Sequence, residues 1–148
     1  MNRRHFIQNL LLSPVVALFE GTPVPIQAQK QKDRVLAQKT ITARFKHFEV
    51  GDYQHAVFIE NGREVNLWLG RYGLDYFLTE YSNQELVITY QIVWTHIPEA
   101  GKIKIERMID AKAGNRTFQQ WLSAKRRGMS DEALEKYYEP KVLQLTRQ

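Results

Sequence analysis

The chain has 148 residues, of which 43% are hydrophobic and 25% are charged, a composition that suits one globular domain with a single core. It contains no cysteine, which excludes disulfides, thiol nucleophiles, iron–sulfur clusters and cysteine-rich zinc sites. The formal net charge of +5 comes from the two ends, because acidic residues outnumber basic ones between residues 39 and 111. This distribution argues against a nucleic-acid-binding surface on the middle of the chain.

The first residues combine a basic start with a short apolar run. Arg3 and Arg4 precede Phe6, and the stretch from Phe6 to Phe19 is largely apolar. This arrangement resembles the twin-arginine export signal, whose pattern is Ser/Thr-Arg-Arg-x-Phe-Leu-Lys, although two flanking positions depart from it. An ordinary secretory signal is the alternative route of export, and the N-terminus of a cytosolic protein is the alternative to export itself.

We expect residues 1–29 to be an export signal that is cut near Ala28. The resemblance implies that the twin-arginine or the general secretion machinery carries the chain to the periplasm or the outside of a bacterial cell. The apolar run covers 14 residues, whereas a bilayer-spanning helix needs about 20. No transmembrane anchor is therefore expected.

The sequence after the signal predicts strands. Residues 30–38 form a polar lead-in, and Ile41, Ala43 and Phe45 then alternate with polar residues. Alternation of this kind is typical of a half-buried strand. A turn at Gly51-Asp52 leads into a second predicted strand over residues 53–60.

A hairpin signal follows the second strand. Asn61-Gly62 is typical of a type I′ turn, because both central residues of that turn need a positive φ. A third strand is predicted over residues 65–69, with Leu67 on one face and Trp68 on the other.

The next segments predict a short helix and two more strands. Apolar residues recur at three- and four-residue spacing in residues 74–82, which indicates a helix. A long alternating strand covers residues 85–97, residues 98–101 form a turn, and a fifth strand runs through residues 103–109.

Three strands, a helix and two strands are the element order of the OB-fold, a partly open five-stranded barrel, which residues 39–112 therefore resemble. The predicted fold class is mainly β with C-terminal helices. Another small antiparallel barrel of the SH3-like kind, or a sheet with one packed helix, are the alternatives.

Residues 113–148 are predicted to form a helical extension that folds as a hairpin. Thr117 and Gln120 are spaced as a capping box, and Gly128 is a suitable C-cap. Ser130 is placed to cap a second helix.

The second helix of the extension is predicted to stop at Pro140. The basic cluster at the end of the first helix is placed to oppose the helix dipole; it consists of Lys125, Arg126 and Arg127. An apolar set on the second helix and beyond it could dock on another subunit or an envelope partner; it consists of Leu134, Tyr137, Tyr138, Val142 and Leu143.

No catalytic, metal-binding or cofactor-binding motif is apparent. His47, His55 and His96 do not have the spacing of a metal site, so partly exposed strand histidines are the simpler interpretation. No serine has a nucleophile-elbow context and no carboxylate pair is placed by its spacing for acid–base chemistry. We therefore assign no catalytic residue, metal or cofactor from the sequence.

Trp68, Lys104 and Arg107 are the candidate ligand-binding residues. The resemblance to OB-folds implies a ligand on the outer face of strands two and three, where an aromatic ring can stack on a base or a sugar. The alternative, which the sequence favours, is that Trp68 packs beneath the C-terminal helices against Phe118 and Trp121. For Lys104 and Arg107 the favoured interpretation is a solvated face of mixed charge, because Glu99, Glu106 and Asp110 lie among the basic residues of this segment.

These patterns together predict an exported, cofactor-free binding module for a protein, a peptide or a glycan. A structural or assembly protein that uses its helical tail is the first alternative. A nucleic-acid-binding OB domain is the second, and the acidic middle of the chain argues against it.

Overall fold

The computed structural model describes residues 32–147. The predicted export signal, with Arg3, Arg4 and Phe6, and the expected cleavage point at Ala28 lie outside the described residues. Between residues 32 and 147, none of the helices is both long and apolar enough to cross a membrane.

The described chain is mainly β-sheet, with helices mostly near its C-terminus, which confirms the predicted fold class at this level. The strands are β1 (Arg34–Val50), β2 (Gln54–Glu60), β3 (Arg63–Leu69), β4 (Glu85–Ile97), β5 (Gly101–Ala113), β6 (Arg116–Thr117) and β7 (Thr146–Arg147). The helices are α1 (Leu74–Glu80), α2 (Phe118–Gly128) and α3 (Asp131–Gln144). The predicted order of three strands, a helix and two strands is therefore confirmed.

Strand β1 begins earlier than the sequence indicated. It starts at Arg34, inside the segment predicted as a polar lead-in, because β4 is long enough to pair with it as far as Trp94. Most side chains between residues 34 and 40 are exposed. The strand was missed because Val35, Leu36 and Ala37 are consecutive and break the polar–apolar alternation, whereas backbone pairing does not require that pattern.

Strand β1 is shared between two neighbours. Its first part, up to Arg44, pairs antiparallel with β4, and its second part, from Arg44 to Val50, pairs antiparallel with β2. The register shifts between Phe45 and His47, and such irregularities bend a strand and increase its twist. One strand can therefore pair with two others that lie in different directions.

The sheet order is β2-β3-β5-β4-β1-β7, with the additional pairing between β1 and β2. The contact between β3 and β5 is parallel and short: Trp68 pairs with Arg107, and Leu69 pairs with Met108. Asn61 and Gly62 join β2 to β3 with φ values of 48° and 76°. Both values are positive, so the predicted hairpin turn is confirmed.

The three helices pack around a shared aromatic core. The ring of Phe77 on α1 lies 5.8 Å from Phe118 and 5.6 Å from Trp121, both on α2. Tyr138 on α3 lies 5.8 Å from Trp121, and Leu134 and Val142 on the same helix are buried. The helical extension therefore completes the core of its own chain.

The helix starts follow the sequence prediction closely. Thr117 and Gln120 form both hydrogen bonds of a capping box at the start of α2. The hydroxyl of Ser130 accepts a hydrogen bond from the N–H of Ala133 at the start of α3.

The helix ends differ from the prediction. Gly128 is the last residue of α2, and the C-cap is Met129 in an extended conformation. Helix α3 does not stop at Pro140 but continues to Gln144. The prediction was wrong because Tyr138 and Val142, one turn apart on either side of the proline, are both buried against the core. Their burial offsets the hydrogen bond that the proline removes.

Candidate functional site

The predicted ligand-binding residues lie where β3 meets β5. Trp68 is paired in register with Arg107, and Lys104 lies three residues earlier on β5. Trp68 and Lys104 line the same surface cleft. Arg107 lies beside this cleft, but its guanidinium is held by another residue, as described below.

Trp68 forms the centre of a row of three stacked rings. Its ring centroid lies 4.4 Å from that of Tyr53, at an interplanar angle of 20°. The ring of His55 lies 5.2 Å from Trp68, at an angle of 28°. The contact of His55 with Trp68 follows from the strand register, because the two residues are cross-strand partners, whereas Tyr53 lies in the turn before β2 and reaches Trp68 through the fold of that turn.

The interpretation that Trp68 packs beneath the C-terminal helices is wrong. Trp121 instead packs against Phe77, Phe118 and Tyr138 in the core. Trp68 is half-buried on the outer side of β3, where its ring neighbours are Tyr53 and His55. The alternation that put Trp68 opposite Leu67 predicted its face correctly.

Three surface clefts share Trp68 as a lining residue. The edge cleft, of about 420 Å³, lies between β3 and β5 and is lined by His55, Asn66, Ile103, Lys104 and Glu106 among others. The loop cleft, of about 300 Å³, lies between the β1–β2 and β4–β5 loops and is lined by Asp52, Tyr53 and Glu99 among others. We call the third cleft the Asp75 cleft.

The Asp75 cleft has a volume of about 390 Å³ and lies between the end of β3 and the start of α1. Four aromatic residues line it: Tyr53, Trp68, Tyr72 and Tyr76. Its polar lining includes Gln54, Arg71 and Asp75. Aromatic walls with a few polar groups are the usual make-up of a ligand site.

Asp75 is the half-buried acid of this cleft. Burial raises the pKa of its carboxyl from 3.8 to about 6, and the nearby negative charge of Glu139 on α3 adds to the rise. The backbone N–H of Tyr76, which donates to Oδ1 at 3.0 Å, acts in the opposite direction. The carboxyl therefore changes its charge close to neutral pH.

Arg71 borders the cleft but directs its guanidinium elsewhere. Nη1 donates to the carbonyl of Ile109 at 3.3 Å, and Nη2 donates to the side chain of Gln119 at 2.9 Å. The guanidinium also lies 5.0 Å from the ring centre of Phe118. These contacts tie the β3–α1 connection to β5 and α2, and leave Asp75 without a cation from this residue.

Arg107 has a structural partner in Asp33. Nη1 of Arg107 lies 2.7 Å from Oδ2 of Asp33, and the hydroxyl of Thr95 donates to Oδ1 at 2.6 Å. The hydrogen bonds from Thr95 and Arg107 hold the pKa of the Asp33 carboxyl below its usual value. Arg107 thus pairs with the start of the described chain, while Lys104 is exposed at the edge cleft.

The charges around Trp68 favour neither nucleic acid nor phosphate. Among residues 32–147, two cations, Arg71 and Lys104, line the three clefts together with four carboxylates: Asp52, Asp75, Glu99 and Glu106. A phosphate chain that lay along this surface would therefore approach more negative charge than positive charge.

The histidines do not form a metal site within residues 32–147, where no group of three potential ligands is close enough to hold an ion. Nε2 of His47 lies 3.1 Å from the carboxylate of Glu49. His55 belongs to the ring row, and His96 pairs with Lys102 along the strands.

The helical tail keeps most of its apolar residues within its own chain. Leu134, Tyr138 and Val142 are buried, whereas Tyr137 and Leu143 are exposed. The basic cluster at the end of α2 also has local partners, since Lys125 lies 3.5 Å from Glu80 and Arg126 pairs with Asp131 at 2.9 Å.

Comparisons with protein families, curated proteins and solved structures gave no match. The chemistry of the site has to be inferred from this chain's own residues. Sequence reasoning missed Tyr53, Tyr72 and Asp75, which lie in or beside turns. A signal was present in the glycines at positions 51, 70 and 73, because turns close to an outward-facing tryptophan bring loop side chains around it.

Proposed function

We propose that this chain is an exported, cofactor-free binding domain that recognises a protein, a peptide or a glycan on the surface around Trp68. The observation that carries the proposal is that three clefts share one tryptophan, which is held in place by stacking on Tyr53 and His55. A stacked aromatic row is rigid before a ligand arrives, so little side-chain entropy is lost on binding.

We also propose that the strands form a five-stranded barrel of the OB-fold kind. The pairings β1–β2, β2–β3, β3–β5, β5–β4 and β4–β1 support this, as does the sharing of the long β1 between β2 and β4. In such a barrel, the loop cleft would lie between the two loops that often carry ligand in this fold.

The kind of ligand follows from the lining of the clefts. Aromatic rings with carboxylates and few cations suit peptides, amines and sugars better than polyphosphates. Because carboxylates outnumber cations in this lining, we rank nucleic acid below peptides, amines and sugars as a ligand.

The test is a binding screen followed by two matched variants. The protein is screened against glycan and peptide arrays, and each ligand found is titrated into Trp68→Ala and Trp94→Ala. Trp94 is a suitable control because it is also half-buried but lies on β4 beside Lys102, outside the three clefts. We expect Trp68→Ala to weaken binding at least tenfold and Trp94→Ala to change it less than twofold. Binding that survives in Trp68→Ala would contradict the proposal.

Export is tested separately, through Arg3 and Arg4. If the twin-arginine route is used, replacing both by lysine blocks export and leaves the folded domain in the cytoplasm. Unchanged export would indicate the general secretory route, and a wild-type protein retained in the cytoplasm with Met1 intact would contradict export altogether.

A further inference from the structure

We propose that the Asp75 cleft binds the ammonium group of an amine-bearing ligand, with Asp75 as the counter-ion and the surrounding rings as an aromatic wall. The inference rests on the proposed function and names the chemistry of its ligand. The group that binds is a cationic nitrogen, which belongs either to a lysine side chain of a peptide or to a small free amine.

The first argument is that the Asp75 carboxylate lacks a cation. Within residues 32–147, none of the ion pairs involves Asp75. Its hydrogen bonds come from neutral donors, the backbone N–H of Tyr76 and the side chain of Gln54, and the neighbouring Arg71 points to Ile109 and Gln119. A half-buried carboxylate in this state is costly, and a bound cation would offset the cost.

The second argument is the aromatic wall. Tyr53 and Tyr72 are 41% and 44% exposed, so part of each side chain is accessible to a ligand, although Tyr53 stacks on Trp68 with one face of its ring. The faces of aromatic rings attract cations, and the guanidinium of Arg126 already lies 5.2 Å from the ring centre of Tyr72. The rings of this cleft therefore suit a positive group.

The third argument separates an ammonium from a neutral sugar. A sugar would donate hydrogen bonds to Asp75 but would not compensate its charge, or the repulsion from Glu139. A cation does both. The cleft volume of about 390 Å³ also leaves room for the chain that carries the nitrogen.

The charged and titratable groups around Asp75 give the proposal a pH signature. Glu139 on α3 and burial raise the pKa of Asp75 to about 6, whereas Gln54 on β2 and the Tyr76 N–H act in the opposite direction. Arg71, Tyr72 and Tyr76 also line the cleft, and the two tyrosines stay neutral between pH 5 and 7.5 because burial raises the pKa of each hydroxyl above its ordinary value of 10. Amine binding is therefore expected to strengthen as pH rises through 6.

The experiment is a calorimetric titration of the purified protein with four probes: Nα-acetyl-lysine amide, choline, neutral Nα-acetyl-norleucine amide and glucose. We expect both cations to bind and norleucine amide to bind at least tenfold more weakly than lysine amide. Tighter binding of lysine amide than of choline would indicate a peptide lysine, and tighter binding of choline would indicate a small free ammonium compound. Cation affinity should rise at least fivefold between pH 5 and 7.5.

Asp75→Asn is the decisive variant, because it keeps the shape and removes the charge. It should weaken cation binding at least tenfold at pH 7.5 and flatten the pH dependence, while Glu85→Gln, exposed on β4 and outside the three clefts, should change affinity less than twofold. Equal affinities for lysine and norleucine amides, or a wild-type affinity independent of pH, would overturn the inference even if Asp75→Asn did not fold. If array ligands need Trp68 but no amine binds, this inference fails and the proposed function stands.

Discussion

At the scale of single residues, Asp75 links the candidate site to the stability of the fold. Burial raises the pKa of its carboxyl to about 6, so between pH 4 and 6 the folded chain holds a proton that the unfolded chain has released. The free energy of unfolding therefore falls as pH rises through this window, and the Asp75 contribution levels off above about pH 6.

Replacing Asp75 by Asn should remove this pH dependence. The shift from 3.8 to about 6 corresponds to at most about 3 kcal/mol, and contact of the half-buried carboxyl with water lowers that figure. We expect Asp75→Asn to gain stability relative to the wild type as pH rises from 4 to 6.5, measured by urea unfolding at several pH values. Parallel stability profiles of the two proteins would show that the carboxyl titrates normally.

Gly70, directly after β3, lies close to the backbone of β5. A Cβ built there would lie 2.5 Å from Cγ of Arg107 and 2.6 Å from the carbonyl oxygen of Met108. The backbone oxygen cannot move aside cheaply, because it accepts the hydrogen bond from the N–H of Gly70 at 2.9 Å.

We therefore expect Gly70→Ala to destabilise the domain by about 1–3 kcal/mol. Gly51→Ala is the control, because no atom of residues 32–147 lies within 4 Å of a Cβ at that position and its φ is not positive. It should change the free energy of unfolding by less than about 0.5 kcal/mol. Equal effects of the two substitutions, measured by thermal unfolding, would argue against the close β3–β5 contact.

The sequence predicted the outward face of Trp68 but not its neighbours. Alternation along β3 depends on adjacent residues only, so it can be seen locally. The stacking of Tyr53 depends on how the β1–β2 loop folds back, and the pKa of Asp75 depends on Glu139, which is 64 positions away. Neither relation leaves a trace in residue spacing.

At the scale of elements, α3 shows that packing against the core can override the helix-breaking tendency of a proline. Pro140 lacks the N–H that would complete the helical hydrogen-bond ladder, yet the helix continues to Gln144. We expect Pro140→Ala to stabilise the domain by about 1–3 kcal/mol, because it restores that hydrogen bond and removes the crowding of the ring. A loss of stability in thermal unfolding would mean that the proline ring itself contributes to packing.

Elements set by short-range chemistry could be predicted, and those set by distant partners could not. The turn at Asn61-Gly62 and the caps at Thr117 and Ser130 depend on a few adjacent residues. The early start of β1 and the passage of α3 through Pro140 depend on β4 and on the core, respectively.

At the scale of the whole molecule, the helical extension is part of the core. Phe118, Trp121, Leu134 and Tyr138 are each at most 1% exposed, and Phe77 on α1 packs against the first two. Burial of each such side chain contributes about 1.5–3 kcal/mol, and a domain has only about 5–15 kcal/mol in total.

A chain that spans residues 30–113 should therefore fail to unfold cooperatively, as measured by circular dichroism during heating. A chain that spans residues 30–144 keeps the helices and loses Leu145 and β7, so we expect it to fold with a lower midpoint of thermal unfolding. Cooperative unfolding of the shorter chain at the wild-type temperature would show that the strands form an independent domain.

The central claim is that Trp68 marks the ligand site, and its indole N–H resonance tests this most directly. The chain has three tryptophans, and Trp121 is fully buried while Trp94 lies outside the clefts. In an NMR titration with an array-selected ligand, with the indole signals assigned through Trp→Phe variants, we predict that the Trp68 signal shifts with saturation and the other two stay in place. A Trp68 signal that stays in place while the ligand binds would contradict the account.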